Sequence, residues 1–108
     1  MIMATTLKVL QSNPSATTLT TLYTVPAATS TVASSIVICN RSATATSFRV
    51  AVRPAAGISN EHYLYYDVTI AGNDTFIATI GISLATTDVV SVYATLATLS
   101  FSLFQENS

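Results

Sequence analysis

The chain reads as all-β: a single-domain antiparallel β-sandwich or jelly roll of roughly eight strands. Three observations predict this class. Large apolar residues recur at period two, and helical spacing is absent. Turn residues break the pattern at roughly eight- to twelve-residue intervals. About three residues in ten are Thr or Ser, and threonine favours strands while hydrating a sheet face without charge.

The stretch Ser34 to Pro54, SSIVICNRSATATSFRVAVRP, shows the logic most clearly. An apolar run, Ile36 to Cys39, meets the polar break Asn40-Arg41-Ser42. Then Phe48, Val50 and Val52 alternate with Arg49, Ala51 and Arg53 until Pro54 ends the strand.

The other elements follow in order. Thr5 to Ser12 alternates around Leu7 and Val9 and stops at the turn Asn13-Pro14-Ser15. Residues 1–12 are expected to be either a first strand or an arm added to a neighbouring chain, so 1–18 is set apart from a sandwich domain over 19–108. Leu19 to Val25 is a second strand, ended by Pro26. Ser30 to Asn40 is the third, with Val32, Ser34, Ile36 and Ile38 on one face. Ala33, Ser35, Val37 and Cys39 take the other, which suggests a central strand covered on both sides. The fourth is Thr46 to Arg53. The fifth, Glu61 to Ile70, has Leu64, Tyr66, Val68 and Ile70 inward and Tyr63, Tyr65, Asp67 and Thr69 outward. Paired as a hairpin, these two strands set Arg53 against Glu61, Arg49 against Tyr65 and Phe48 against Tyr66.

Ala71-Gly72-Asn73-Asp74 is the strongest turn. The sixth strand, Thr75 to Leu84, has its apolar face at Phe76, Ala78, Ile80 and Ile82. A four-residue hairpin would place Val68 opposite Ile77, with the wrong parity. Either a bulge lies here or the chain crosses to a second sheet, and the crossing is preferred because sandwiches need such connections. Val89 to Leu96 and Leu99 to Gln105 are the last two strands. A tight turn at Ala97-Thr98 would pair Val92 with Leu103 and Ala94 with Phe101, though it has no Gly or Asn to supply a positive φ.

Composition bounds the function. Only 8% of residues are charged and the formal net charge is −1, against about a quarter charged in ordinary domains. Such a surface gives no electrostatic case for nucleic acid and suits contact with other subunits. No apolar run is long enough for a membrane helix. Met1-Ile2-Met3 lacks the basic and long apolar regions of a signal peptide, so synthesis in a cytoplasm is expected.

Catalytic chemistry is not evident. His62 stands without the partners that a zinc site needs, and Cys39, the single cysteine, is expected as a buried thiol. Asp74 and Asp88 precede strands, where carboxylates close turns. No catalytic, cofactor or metal residues are assigned. Asn40-Arg41-Ser42 and Asn73-Asp74-Thr75 match the glycosylation sequon, as chance matches in turn-rich sequence. Tyr63 and Tyr65 beside Arg49 and Arg53 form the candidate interface, because tyrosine and arginine dominate interface hot spots. Exposed tyrosines would also serve a glycan site.

Leu22-Tyr23-Thr24-Val25-Pro26, SSIVICNRSATATSFRVAVRP, HYLYYD, IAGNDTF and DVVSVYATLATLSFSLF resemble a family of small proteins encoded among the structural genes of tailed bacteriophages, cyanophages included. The likeness spans residues 19–104. It implies a non-enzymatic virion protein assembled in the bacterial host cytoplasm. The expected role is a capsid decoration (cement) protein, a homo-oligomer, expected as a trimer, bound to the major capsid protein or another virion protein. A tail component, either a fibre or spike module or an adaptor ring subunit, is the alternative. The resemblance carries no catalytic residues and no cofactor.

Overall fold

The computed structural model of the protein describes residues 6–54 and 57–107. Eight strands form: β1 Thr6–Ser12, β2 Thr20–Thr24, β3 Thr31–Asn40, β4 Thr46–Arg53, β5 Tyr63–Ile70, β6 Thr75–Leu84, β7 Val89–Ala94 and β8 Leu99–Asn107. Residues 1–5 of the expected first strand or arm lie outside the described residues. Residues 6–12 pair antiparallel with β8 of their own chain. A three-residue 3-10 turn, Asn60–His62, precedes β5. No helix among the described residues is long and apolar enough to cross a membrane.

Period-two patterning gives each strand one apolar face, and two such faces must meet to exclude water. Two four-stranded sheets do so, in the orders β1-β8-β3-β6 and β2-β7-β4-β5. The first strand pairs with the last, the second with the seventh, the third with the sixth and the fourth with the fifth. This nested order, a long hairpin folded over on itself, is the jelly-roll arrangement. The chain crosses between sheets after β5, the resolution preferred over a bulge for the parity at Ala71–Asp74.

The expected β7–β8 hairpin does not form. β7 lies between β2 and β4, and β8 between β1 and β3, so Ala97-Thr98 also crosses between sheets, as every connection except β4–β5 does. Val92 and Leu103 both point into the core, but from opposite sheets. Leu96, expected inward on the seventh strand, lies beyond β7 and is exposed.

The core is built on Phe48, which is 0% exposed. Its ring stands 5.1 Å from Phe76, 6.2 Å from Tyr65 and 6.3 Å from Phe101 in tilted or edge-on geometry, the arrangement favoured by the ring quadrupole. Ile36, Ile38, Val50, Val90, Val92, Leu99 and Leu103 complete it.

Two bulges change the expected faces. Between Ala33 and Ser35 the register of β3 slips against both neighbours. Thr31 and Ala33 before it, and Ile36 and Ile38 after it, all point inward. Val32 therefore faces solvent instead of sharing a face with Ile36. The Ser34 hydroxyl donates to the Phe104 carbonyl at 3.0 Å, and Gly81 of β6 takes a φ of +53° opposite the slip. β3 is central in its sheet, yet its outer face is only half covered: Val37 and Cys39 are half-buried. Cys39 is thus a half-exposed thiol of a sheet face, not the buried one expected.

The second bulge lies in β5, where Asp67 has a φ of 51°. The ladder runs Phe48↔Val68, then Val50↔Tyr65 and Ala51↔Tyr63. Val68 and Ile70 point inward as expected. Beyond the bulge the parity inverts, so Tyr65 turns into the sandwich while Leu64 and Tyr66 turn out, and a second slip between Val50 and Ala51 returns Tyr63 to the outer face. Neither Arg49↔Tyr65 nor Phe48↔Tyr66 forms. Glu61 sits in the 3-10 turn rather than opposite Arg53 in the ladder.

Polar side chains fasten each end of the sandwich. At one end Asn40, 1% exposed, donates to the Thr44 and Ala71 carbonyls and accepts from the Ser42 amide and the Thr98 hydroxyl. One side chain so joins three loops, with its hydrogen-bonding capacity filled. Gly72 packs against the same corner; a Cβ there would stand 2.1 Å from the Ala43 carbonyl oxygen. At the other end Asn107 accepts from Thr31 and Gln105 and donates to the Tyr23 hydroxyl. Asp74 accepts from the Thr75 amide and Asp88 from the Ala85 amide, each closing its turn.

Candidate interaction surface

On the outer face of the β2-β7-β4-β5 sheet, alternation along β4 brings out Arg49, Ala51 and Arg53. Across the β4–β7 ladder these stand opposite Tyr93, Ser91 and Val89. The bulge at Asp67 adds Tyr66 and the Asp67 carboxylate from β5.

The guanidinium of Arg49 is the hub. Its Nε donates to Asp67 Oδ1 at 2.6 Å and its Nη2 to Oδ2 at 3.2 Å, a bidentate pair. Its carbon lies 4.1 Å from the Tyr66 ring centroid and 4.4 Å from that of Tyr93. Hydrogen bonding to Asp67, with its nearby negative charge, raises the proton affinity of Arg49 above that of a free guanidinium, so the side chain is a permanent cation. A half-exposed pair of this kind adds about 0–1 kcal/mol, and each ring contact about 0.5–1 kcal/mol. Together they fix a long side chain in one pose, which lowers the entropy lost when a partner docks.

Tyr63 stands edge-on to Tyr66 with centroids 4.9 Å apart. With Asn60 these rings line an open depression of about 400 Å³. Arg53 donates from Nε to the Ser91 hydroxyl at 3.4 Å. Ala51 and Ser91 are 0% and 1% exposed although they face outward, so this face carries its own roof of large side chains.

Of the four residues expected here, Arg49, Arg53 and Tyr63 lie on this face. Tyr65 does not: its ring packs inside, 5.4 Å from Phe76. Tyr66, expected in the core, is 57% exposed and takes its place. Tyr93 was missed by sequence reasoning. The available signal was its position three residues after Val90 in a strand whose inward set is Val90, Val92 and Ala94.

The outer face of the other sheet is different. Its ladder rows place Val9 beside Phe104 and Val37 between Ser102 and Ile77. Val9, Val32, Ile77 and Phe104 are exposed, among the hydroxyls of Thr79, Ser83, Ser100 and Ser102. Glu106 supplies the only carboxylate among the described side chains of this face.

His62 accepts at Nδ1 from the Ser59 amide at 2.9 Å, so it holds a loop turn. No group of three or more His, Cys, Asp or Glu is placed to hold a metal ion among the described residues. Both ends of the Asn40 amide are engaged in the interior, which closes the first sequon to a glycan. A scan against protein-family models and a search of curated proteins each give no match.

Proposed function

We propose that the chain is a non-enzymatic virion subunit of a tailed bacteriophage whose leading role is capsid decoration: it sits on the assembled shell, contacts copies of itself and the major capsid protein, and stiffens the particle. The resemblance over residues 19–104 supports the virion setting. The observation that carries a contact role is the β1-β8-β3-β6 outer face. Among its described side chains four large apolar ones are exposed beside a single carboxylate, and burying such a face desolvates little charge. Standard interfaces bury about 1,600 Å² in total. Repetition over a shell then adds avidity without new contact types.

Quantified gel bands from purified particles test this reading. A decoration protein is present in hundreds of copies; a tail part is present in a handful. Val32→Lys, at an exposed position, should lower incorporation and make particles heat-sensitive. A protein absent from intact particles would refute the proposal.

The tail reading draws on the depression at Asn60, Tyr63 and Tyr66, where two rings and an amide suit a host glycan. Tyr66→Ala should then abolish adsorption to host cells while leaving particles intact. Normal adsorption by that variant removes this alternative.

A further inference from the structure

A sandwich of two open sheets has four edge strands, and each exposes a row of backbone N–H and C=O groups that a passing strand can bind. Here the edges are β1 and β6 in one sheet and β2 and β5 in the other. Three of them carry a guard. β1 contains Lys8. β2 is only 5 residues long and its register breaks between Thr21 and Tyr23. β5 is broken by the bulge at Asp67 and carries that carboxylate. Short length, charge and bulging are the devices by which edges are kept from pairing.

β6 is unlike them. It is 10 residues long, TFIATIGISL, with no charge and no proline. Its irregularity is confined to the region of Gly81, so Thr75 to Thr79 pair with β3 in unbroken register. Ile77 on its outer face is 68% exposed. Of its inward side chains Phe76, Ile80 and Ile82 stay half-exposed, while Ala78 and Leu84 are buried. Apolar side chains thus lie uncovered along the same line as the open backbone.

We infer that β6 is the contact between two copies of this chain: the β6 strands pair antiparallel across a two-fold axis and join the β1-β8-β3-β6 sheets into one eight-stranded sheet. An edge with free backbone groups calls for another strand, and an uncharged one calls for an uncharged strand, which β6 itself provides. Antiparallel pairing sets Asp74, at the start of each β6, beside the uncharged far end of its partner; parallel pairing would bring the two carboxylates together. The area suffices. Ten residues at about 3.3 Å each, on a sandwich edge about 20 Å deep, cover about 650 Å² per copy, hence about 1,300 Å² in total, within the range of stable pairs. A three-fold ring, as expected for a decoration protein, would need β6 to meet one of the guarded edges head to tail. The inference does not rest on the virion reading.

Sedimentation of the purified full chain tests it. The unmodified protein should sediment as a dimer that dissociates on dilution. Thr79→Lys and Ile77→Lys, both at exposed positions, should weaken dimerisation at least about tenfold, since a charge at a sheet edge must be desolvated on pairing. Ser102→Lys, in the middle of the same sheet's outer face, should leave the dimer intact. Circular dichroism should show all three folded. Hydrogen exchange on the unmodified chain needs no variant: the Thr75–Leu84 amides should exchange more slowly at high concentration than at low. A monomer at all concentrations, a trimer, open-ended fibres, dissociation by Ser102→Lys alone, or exchange in β6 that ignores concentration would each overturn the inference.

Discussion

Replacing Asn40 should unfasten one end of the sandwich, and the structure sets the size of the effect. Its amide nitrogen donates at 2.9 Å to Thr44 O and 3.2 Å to Ala71 O; its oxygen accepts at 3.1 Å from Ser42 N and 3.2 Å from Thr98 Oγ1. A net contribution of about 1 kcal/mol per bond gives about 4 kcal/mol as the ceiling. The loop groups left behind sit near the end of the sandwich, where water can reach some of them, so Asn40→Ala should cost about 2–4 kcal/mol. Asn40→Asp separates the two halves of the amide. It keeps the shape and the two accepted bonds but turns a carboxylate oxygen toward two carbonyl oxygens. That contact disfavours the ionised form, so the folded-state pKa of Asp at 40 rises above the ordinary value of about 3.9. An acid raised on folding favours the native state while protonated. The variant should therefore match the wild type best below about pH 4, then lose about 1.4 kcal/mol per pH unit until the folded pKa is passed. Urea unfolding followed by far-ultraviolet circular dichroism at several pH values, always against the wild type, measures both effects. A cost under about 0.5 kcal/mol for Asn40→Ala, the size of an ordinary surface change, or no extra pH dependence for Asn40→Asp, would refute the reasoning.

Two further predictions use the same assay. Gly72→Ala must push Cβ into the Ala43 carbonyl, 2.1 Å away, and should cost about 1–3 kcal/mol or more; Gly57→Ala meets nothing within 4 Å and should be neutral or stabilising by up to about 1 kcal/mol. Tyr65→Ala should destabilise by about 3–4 kcal/mol, near the lower end for core aromatics, and Tyr66→Ala by about 1 kcal/mol or less. The reverse order would place the bulge of β5 elsewhere.

Much of this fold was legible because alternation reports which residues face inward. The strands and the inward sets of β4, β6 and β8 follow from parity, which also excluded a simple hairpin after β5. The β7–β8 connection did not, for a physical reason. Val92, Ala94, Phe101 and Leu103 face the same core whether their strands pair side by side or stack from opposite sheets, so periodicity cannot separate the two. The residues at 97 and 98 held the better clue, since neither readily takes the positive φ of a tight hairpin. Bulges were the other loss. Asp67 takes its left-handed conformation without a glycine to announce it, and one added residue exchanged the places of Tyr65 and Tyr66. Of the residues grouped as a candidate surface, the two arginines and Tyr63 accordingly share one outer face, Tyr65 lies inside, and Tyr93, which comes from a strand distant in sequence, was not anticipated.

The position of β8 sets the order in which the molecule can be made. This strand leaves the ribosome after the other seven, yet it fills the slot between β1 and β3. Until it arrives β1 has no hydrogen-bonding neighbour and β3 is open along one side. The nascent polypeptide thus waits with two sticky borders for its eighth strand, as an arch waits for its keystone. Rapid synthesis would favour clumping at that stage, and slower or cooler production should raise the soluble yield.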